Sequence, residues 1–183
     1  MKYLIIDLIF NNITKFPQPN TTSLPISGIR YQVIDNKVHK TKHISVIGSN
    51  ILDNGIDTIE IVESETDLIK HVNYIISGNS VIGDAFVIDW TGFDYRYLCA
   101  RSLMLSLELP YSTGHLAIGV IYKDKYPDTK SMNMRNIHEK TKLVVPTDEF
   151  GVFKFNIMRL LLNEYANFMN MTNNHLTNGE AYG

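Results

Sequence analysis

Tyr3-Leu4-Ile5-Ile6 is apolar at every position, and the run stops at a carboxylate, Asp7. A strand with one wet face alternates apolar and polar residues, whereas an unbroken apolar run marks a strand buried on both faces. The first strand is therefore expected at the centre of a sheet. A length of 183 residues suits one domain with a full core. An apolar fraction of 44% against 20% charged residues argues against disorder. The formal charge of −2 supplies no global basic field, so contact with nucleic acid has to come from a local patch. Cys99 is the one cysteine and cannot form an internal disulfide, which fits a reducing, cytoplasmic setting. With no nucleophile signature beside it, Cys99 reads as a small core residue. The N-terminal apolar run is too short for a signal sequence, and no stretch is long enough to cross a bilayer, so no membrane contact is expected. The richness in Ile, Asn, Lys and Tyr suits an AT-rich genome such as that of a phage or a low-GC bacterium.

Beyond Asp7, Pro17, Pro19 and Pro25 forbid regular structure in a polar loop from Asn11 to Pro25. Ile29, Tyr31 and Val33 then alternate with Arg30, Gln32 and Ile34. Asp35-Asn36 is a turn pair, and Val38 to Val46 can return as an antiparallel strand. Ser64-Glu65-Thr66-Asp67 resembles a capping box. Leu68, Ile69, Val72, Ile75 and Ile76 follow at helical spacing, with Gly78 as the stop. Ser80 to Ile88 reads as a strand, Phe93 or Asp94 to Leu107 as a helix closed by Pro110, and Leu116 to Tyr122 as a strand. Asp148 to Met169 carries a long helical pattern. The order β-β-β-α-β-α-β-α is a mixed α/β arrangement, not a doubly wound one. There is no Gly-rich phosphate loop or Walker lysine. Residues 1–173 are expected to form one domain and 174–183 a loosely held tail.

Several ordered segments together resemble the DnaQ-like family of DEDD 3′–5′ exonucleases. Tyr3-Leu4-Ile5-Ile6-Asp7-Leu8-Ile9 is similar to the family's first motif, a strand ending in Asp-x-Glu, although Ile9 stands where the family has glutamate. Asn54-Gly55-Ile56 resembles its His-Gly-Ile segment. Trp90-Thr91-Gly92-Phe93-Asp94-Tyr95-Arg96-Tyr97-Leu98 resembles its second motif, and Asp128-Thr129 its Asp-Thr/Ser segment. The third motif, a histidine followed five residues later by aspartate, is absent between Val152 and Leu162. The resemblance implies an RNase H-like fold: a mixed five-stranded sheet with antiparallel first three strands, flanked by helices. It also implies Asp7 and Asp94 as catalytic ligands of Mg²⁺ or Mn²⁺, and single-stranded DNA or RNA 3′ ends as substrate.

Two-metal phosphodiester hydrolysis needs several carboxylates and a general base. Isoleucine at position 9 cannot ligate a hard cation, which prefers oxygen. Asp84, Asp89 and Glu164 are the candidate replacement ligands. Each also has a plain structural role open to it: a strand end for Asp84, a helix cap for Asp89, a solvated face for Glu164. None of the six histidines shows metal-ligand spacing, and each reads as a surface residue. Lys123, Lys125, Lys130, Arg135, Lys140 and Lys142, with Tyr122 and Tyr126 between them, form the densest basic stretch. Lys125, Arg135 and Phe10 are the candidate nucleic-acid contacts, while Trp90 reads as core. Two functions follow from the resemblance. One is a metal-dependent 3′–5′ exonuclease; the other is an inactive pseudo-exonuclease that binds nucleic acid or a protein partner.

Overall fold

The computed structural model describes residues 2–11, 24–34, 40–49, 57–78 and 83–128, together with 154, 155, 157–159, 161–163 and 165. Its strands are β1 (Lys2–Ile9), β2 (Gly28–Ile34), β3 (Thr41–Val46), β4 (Thr58–Val62), β5 (Ala85–Asp89) and β6 (Gly114–Ala117). Helices α1 (Glu65–Ser77), α2 (Phe93–Met104) and α3 (Gly119–Lys125) accompany them. The residues given between 154 and 165 are also helical and are called the terminal helical segment below. The sheet order is β4-β3-β2-β1-β5-β6. β1 is central, as its unbroken apolar run requires, with Leu4, Ile5 and Ile6 at most 1% exposed.

The first three strands are antiparallel, and β5 lies parallel to β1. Among the described residues the sheet has six strands rather than the five expected. The addition is β4, which pairs parallel to β3. Thr58-Ile59-Glu60-Ile61-Val62 alternates, but the strand is short and mostly exposed, so burial leaves little mark on its sequence. Two other expectations are corrected. Of the expected 116–122 strand only Leu116 and Ala117 pair, at the end of Gly114–Ala117, because Gly119–Lys125 turns into α3. His43 is not a surface residue but is 1% exposed on β3. The segments Asn54-Gly55-Ile56 and 174–183 lie outside the described residues.

Strand alternation divides the protein into two layers around the sheet. Leu4, Ile6, Leu8 and Phe10 join Ile29, Tyr31 and Ile44 in a core against α1 and α2. Ile5 joins Ile88, Trp90, Ile118 and Tyr122 in a second core, with Phe155, Ile157, Met158, Leu161 and Leu162 of the terminal helical segment. Helix α1 forms where the capping box places it: the Ser64 hydroxyl accepts the Asp67 N–H at 3.2 Å, and Gly78 closes the last turn onto the Tyr74 carbonyl. On the same side of the sheet, Glu65 receives both Nε and Nη2 of Arg101, each at 2.7 Å, and the Ile26 N–H at 2.6 Å. One carboxylate thereby ties α1, α2 and the approach to β2. Arg101→Met is expected to lower stability by about 3–5 kcal/mol, since it leaves a largely buried carboxylate with one backbone donor. Urea unfolding followed by circular dichroism checks this.

Candidate functional site

Because β1 and β5 run parallel, with Ile5 beside Ile88, their C-terminal ends meet at one edge of the sheet. Asp7 lies near the end of β1, and the chain leaving β5 turns through Gly92 into α2. Gly92 has φ +78°, a left-handed conformation that strains any residue with a side chain. Asp89 holds this turn. Its Oδ1 accepts the Gly92 N–H, and its Oδ2 accepts the Tyr95 N–H at 3.0 Å. The His115 imidazole lies 3.3 Å from the same Oδ2. Asp89 thus caps the first turn of α2, the plain role open to it, and by doing so aims Asp94 at β1.

Asp94 arrives with its Oδ1 accepting the Leu8 N–H at 3.0 Å. Two residues separated by nearly half the chain, Asp7 and Asp94, are brought to one buried cluster. Two cations join them. Arg30 is the β2 partner of Asp7 in the antiparallel register, and its Nη2 meets Asp7 Oδ2 at 2.7 Å. From the terminal helical segment, the Lys154 ammonium donates to Asp7 Oδ1 and lies 4.0 Å from Asp94 Oδ2.

Burial works to raise the Asp7 pKa, but the charges of Lys154 and Arg30 outweigh it and hold the carboxyl below its usual range. Asp94 goes the other way. Burial, helped by the negative charges of Asp7 and Asp89, outweighs Lys154 and the Leu8 N–H and pushes it up to about 7. Lys154 stays protonated: burial opposes its charge, yet Asp7 and Asp94 together raise its pKa. With Asp94 partly protonated near neutrality, the four groups carry no net negative charge.

The other expected residues lie elsewhere. Asp84 is exposed at the opposite end of the sheet, 3.6 Å from Lys2, and five residues along β1 correspond to about 16 Å. Phe10 points to the other side of the sheet from Asp7 and is buried edge-on against Tyr97 and Phe93. Its buried ring offers no open face to a base. Trp90 is core, tilted against Tyr122. Cys99 is half-buried, with burial raising its thiol pKa away from the reactive thiolate. Lys125 is exposed on α3, its ammonium 5.7 Å from the Tyr126 ring centroid. Glu164 and Arg135 lie outside the described residues.

Arg30 and Lys154 were not among the expected site residues. Lys154 had a signal in the sequence, a cation within the segment where the third motif's histidine and aspartate were sought. Arg30 had none, because its pairing with Asp7 depends on strand register.

The donor set does not fit Mg²⁺ or Mn²⁺. Both oxygens of Asp7 are engaged by cations, one oxygen of Asp94 by a backbone N–H, and Ile9 puts hydrocarbon on the Asp7 side of β1. Among the described residues no three His, Cys, Asp or Glu side chains converge to hold a metal ion. Compared with known proteins, the chain matches no family model and no curated relative.

Two measurements probe this cluster. Asp7→Asn leaves Arg30 and Lys154 largely buried without their shared anion, so it is expected to cost about 3–5 kcal/mol in urea unfolding. The double variant Asp7→Asn/Lys154→Met should cost less than the two single changes added together, the signature of direct coupling. Asp94 governs a different pH window. Between its ordinary value of 3.8 and about 7 the folded protein holds a proton that the unfolded chain has released, so this group makes stability fall as pH rises through that range. Asp94→Asn keeps an acceptor for Leu8 and removes the titration. Its stability relative to wild type should therefore climb between pH 4 and pH 7 and level off above. The lowered pKa of Asp7 acts only below its ordinary value, where its contribution is lost as pH falls.

Proposed function

We propose that this chain is a non-hydrolysing exonuclease-like domain, an RNase H-like scaffold of DnaQ type that binds single-stranded DNA or RNA 3′ ends without cutting them. Two features support the scaffold reading. The first three strands are antiparallel around a central β1, and the two aspartates that the resemblance singles out meet at the end of that strand. The observation that carries the non-hydrolysing reading is the Lys154 ammonium on Asp7 and near Asp94. Metal-assisted attack on a phosphodiester needs those carboxylate oxygens for divalent ions, and here they serve a cation that brings no water to activate.

Binding draws support from α3, where exposed Lys123 and Lys125 flank the turn into half-buried Tyr126. The remaining basic residues of that stretch, among them Arg135, extend it in sequence. Phosphate contacts of this sort give salt-sensitive, sequence-tolerant affinity.

A 3′-labelled oligonucleotide incubated with the protein and Mn²⁺ should remain full length. The same oligonucleotide, fluorescein-labelled, should show rising anisotropy on titration, weakened by Lys123→Ala/Lys125→Ala. Mn²⁺-dependent shortening that disappears in Asp94→Asn would sink this reading in favour of an active exonuclease. Absence of any anisotropy change at low salt would remove nucleic acid as the partner.

A further inference from the structure

We propose that the outer edge of β4 is a docking strand for an extended, basic segment of a partner protein, which joins the sheet beside it. β2 and β3 separate this edge from β1 and its acid pair, and the nucleic-acid binding proposed above does not use it.

β4 ends the sheet among the described strands, and its register with β3 runs without a bulge from Thr58 to Val62. The Val62 carbonyl accepts the Ile47 N–H at 2.9 Å, so the backbone of Val62 bonds inward. By strand alternation Glu60 and Thr58 bond inward as well, while Ile59 and Ile61 turn their N–H and C=O groups outward. An open edge of this kind is a template for another strand, and proteins that keep it closed use a proline, a bulge or a covering element. β4 has no proline, and its apolar side chains are bare. Ile59 is 39% exposed and Ile61 59%, with Ile47 at 68% beside Val62.

Charge decides the occupant. Asp57, Glu60 and Glu63 are exposed along the strand and at its two ends. From Ile51 to Asp67 the sequence holds six acids, Asp53, Asp57, Glu60, Glu63, Glu65 and Asp67, and no lysine or arginine. Lys42 on β3 and His71 on α1, the latter 3.1 Å from Glu60, offset part of this charge from the inner side. A second copy would set Glu60 opposite Glu60 in the antiparallel register that matches Ile59 with Ile61, and like charges directly opposed destabilise a strand pair. Nucleic acid would be repelled by the same acids. What fits is an extended protein segment with β-branched residues beside Ile59 and Ile61, and with lysine or arginine against Asp57, Glu60 and Glu63. In strand addition of this sort the main chain supplies affinity and alternate side chains supply specificity.

The peptide Lys-Thr-Val-Lys-Val-Thr-Lys carries this pattern and reads the same in both directions. Labelled with fluorescein and titrated with the full chain at low salt, it is expected to give a saturable rise in anisotropy. Replacing its lysines by glutamate should abolish the rise. So should N-methylation of its internal residues, which keeps the charge and removes the amide donors. Glu60→Lys should weaken binding about tenfold or more. Ile61→Pro removes an outward donor without touching the ladder to β3, so it should abolish binding with an unchanged circular dichroism spectrum. Should that variant fail to fold, the N-methylated peptide makes the same distinction on wild type. Lys123→Ala/Lys125→Ala should bind the peptide as wild type does.

Absence of a saturable rise, equal binding of the N-methylated peptide, or binding unchanged in Glu60→Lys would each overturn the proposal. A dimer in sedimentation equilibrium that Ile61→Pro dissociates would overturn it too, by making a second copy the occupant.

Discussion

Asp7 loses nearly all its water when β1 takes its place between β2 and β5, and an ionised carboxylate there is tolerable only because two cations reach it from different elements. Arg30 comes through strand register and Lys154 through helix packing. Both partners are needed, since burial alone would drive the carboxyl toward its neutral form. The arrangement also explains why two neighbouring acids behave differently. Asp7 takes the direct contacts of both cations, while Asp94 has one backbone donor and a more distant ammonium, so its proton is held to near neutral pH.

The parts of the fold that were legible in the sequence are those where burial writes a periodic pattern. β1 shows an unbroken apolar run, β2 an alternation from Ile29 to Val33, and α1 a capping box with apolar residues at helical spacing. β4 was illegible because an exposed edge strand places few demands on its side chains. The end of β6 was misread for a different reason. Ile118, Ile121 and Tyr122 are apolar because α3 packs on the second core, and a short apolar stretch does not by itself distinguish helix from strand.

At the site, Asp7 and Asp94 were legible because each follows a recognisable local device, a strand end and a helix start. Their partners were not, since a charge pair across strands or between helix and sheet has no local signature. His43 illustrates the same limit. It alternates like a surface residue, yet lies in register beside Arg30 and is buried. Asp89 was ambiguous in sequence between ligand and cap, and only the turn at Gly92 distinguishes them.

The contact between Lys154 and Asp7 spans 147 positions of the chain. Closing a flexible loop of that length costs about 4 kcal/mol in chain entropy beyond the constant for any closure. During synthesis β1, β2 and β5 are all made long before the lysine that completes the neutralisation of their shared edge. Until then Arg30 is the cation on hand, and an assembled sheet holds a half-compensated acid at its end. Neutralisation of Asp7 thus depends on a contact of high sequence separation, the kind that slows folding, rather than on local propensity.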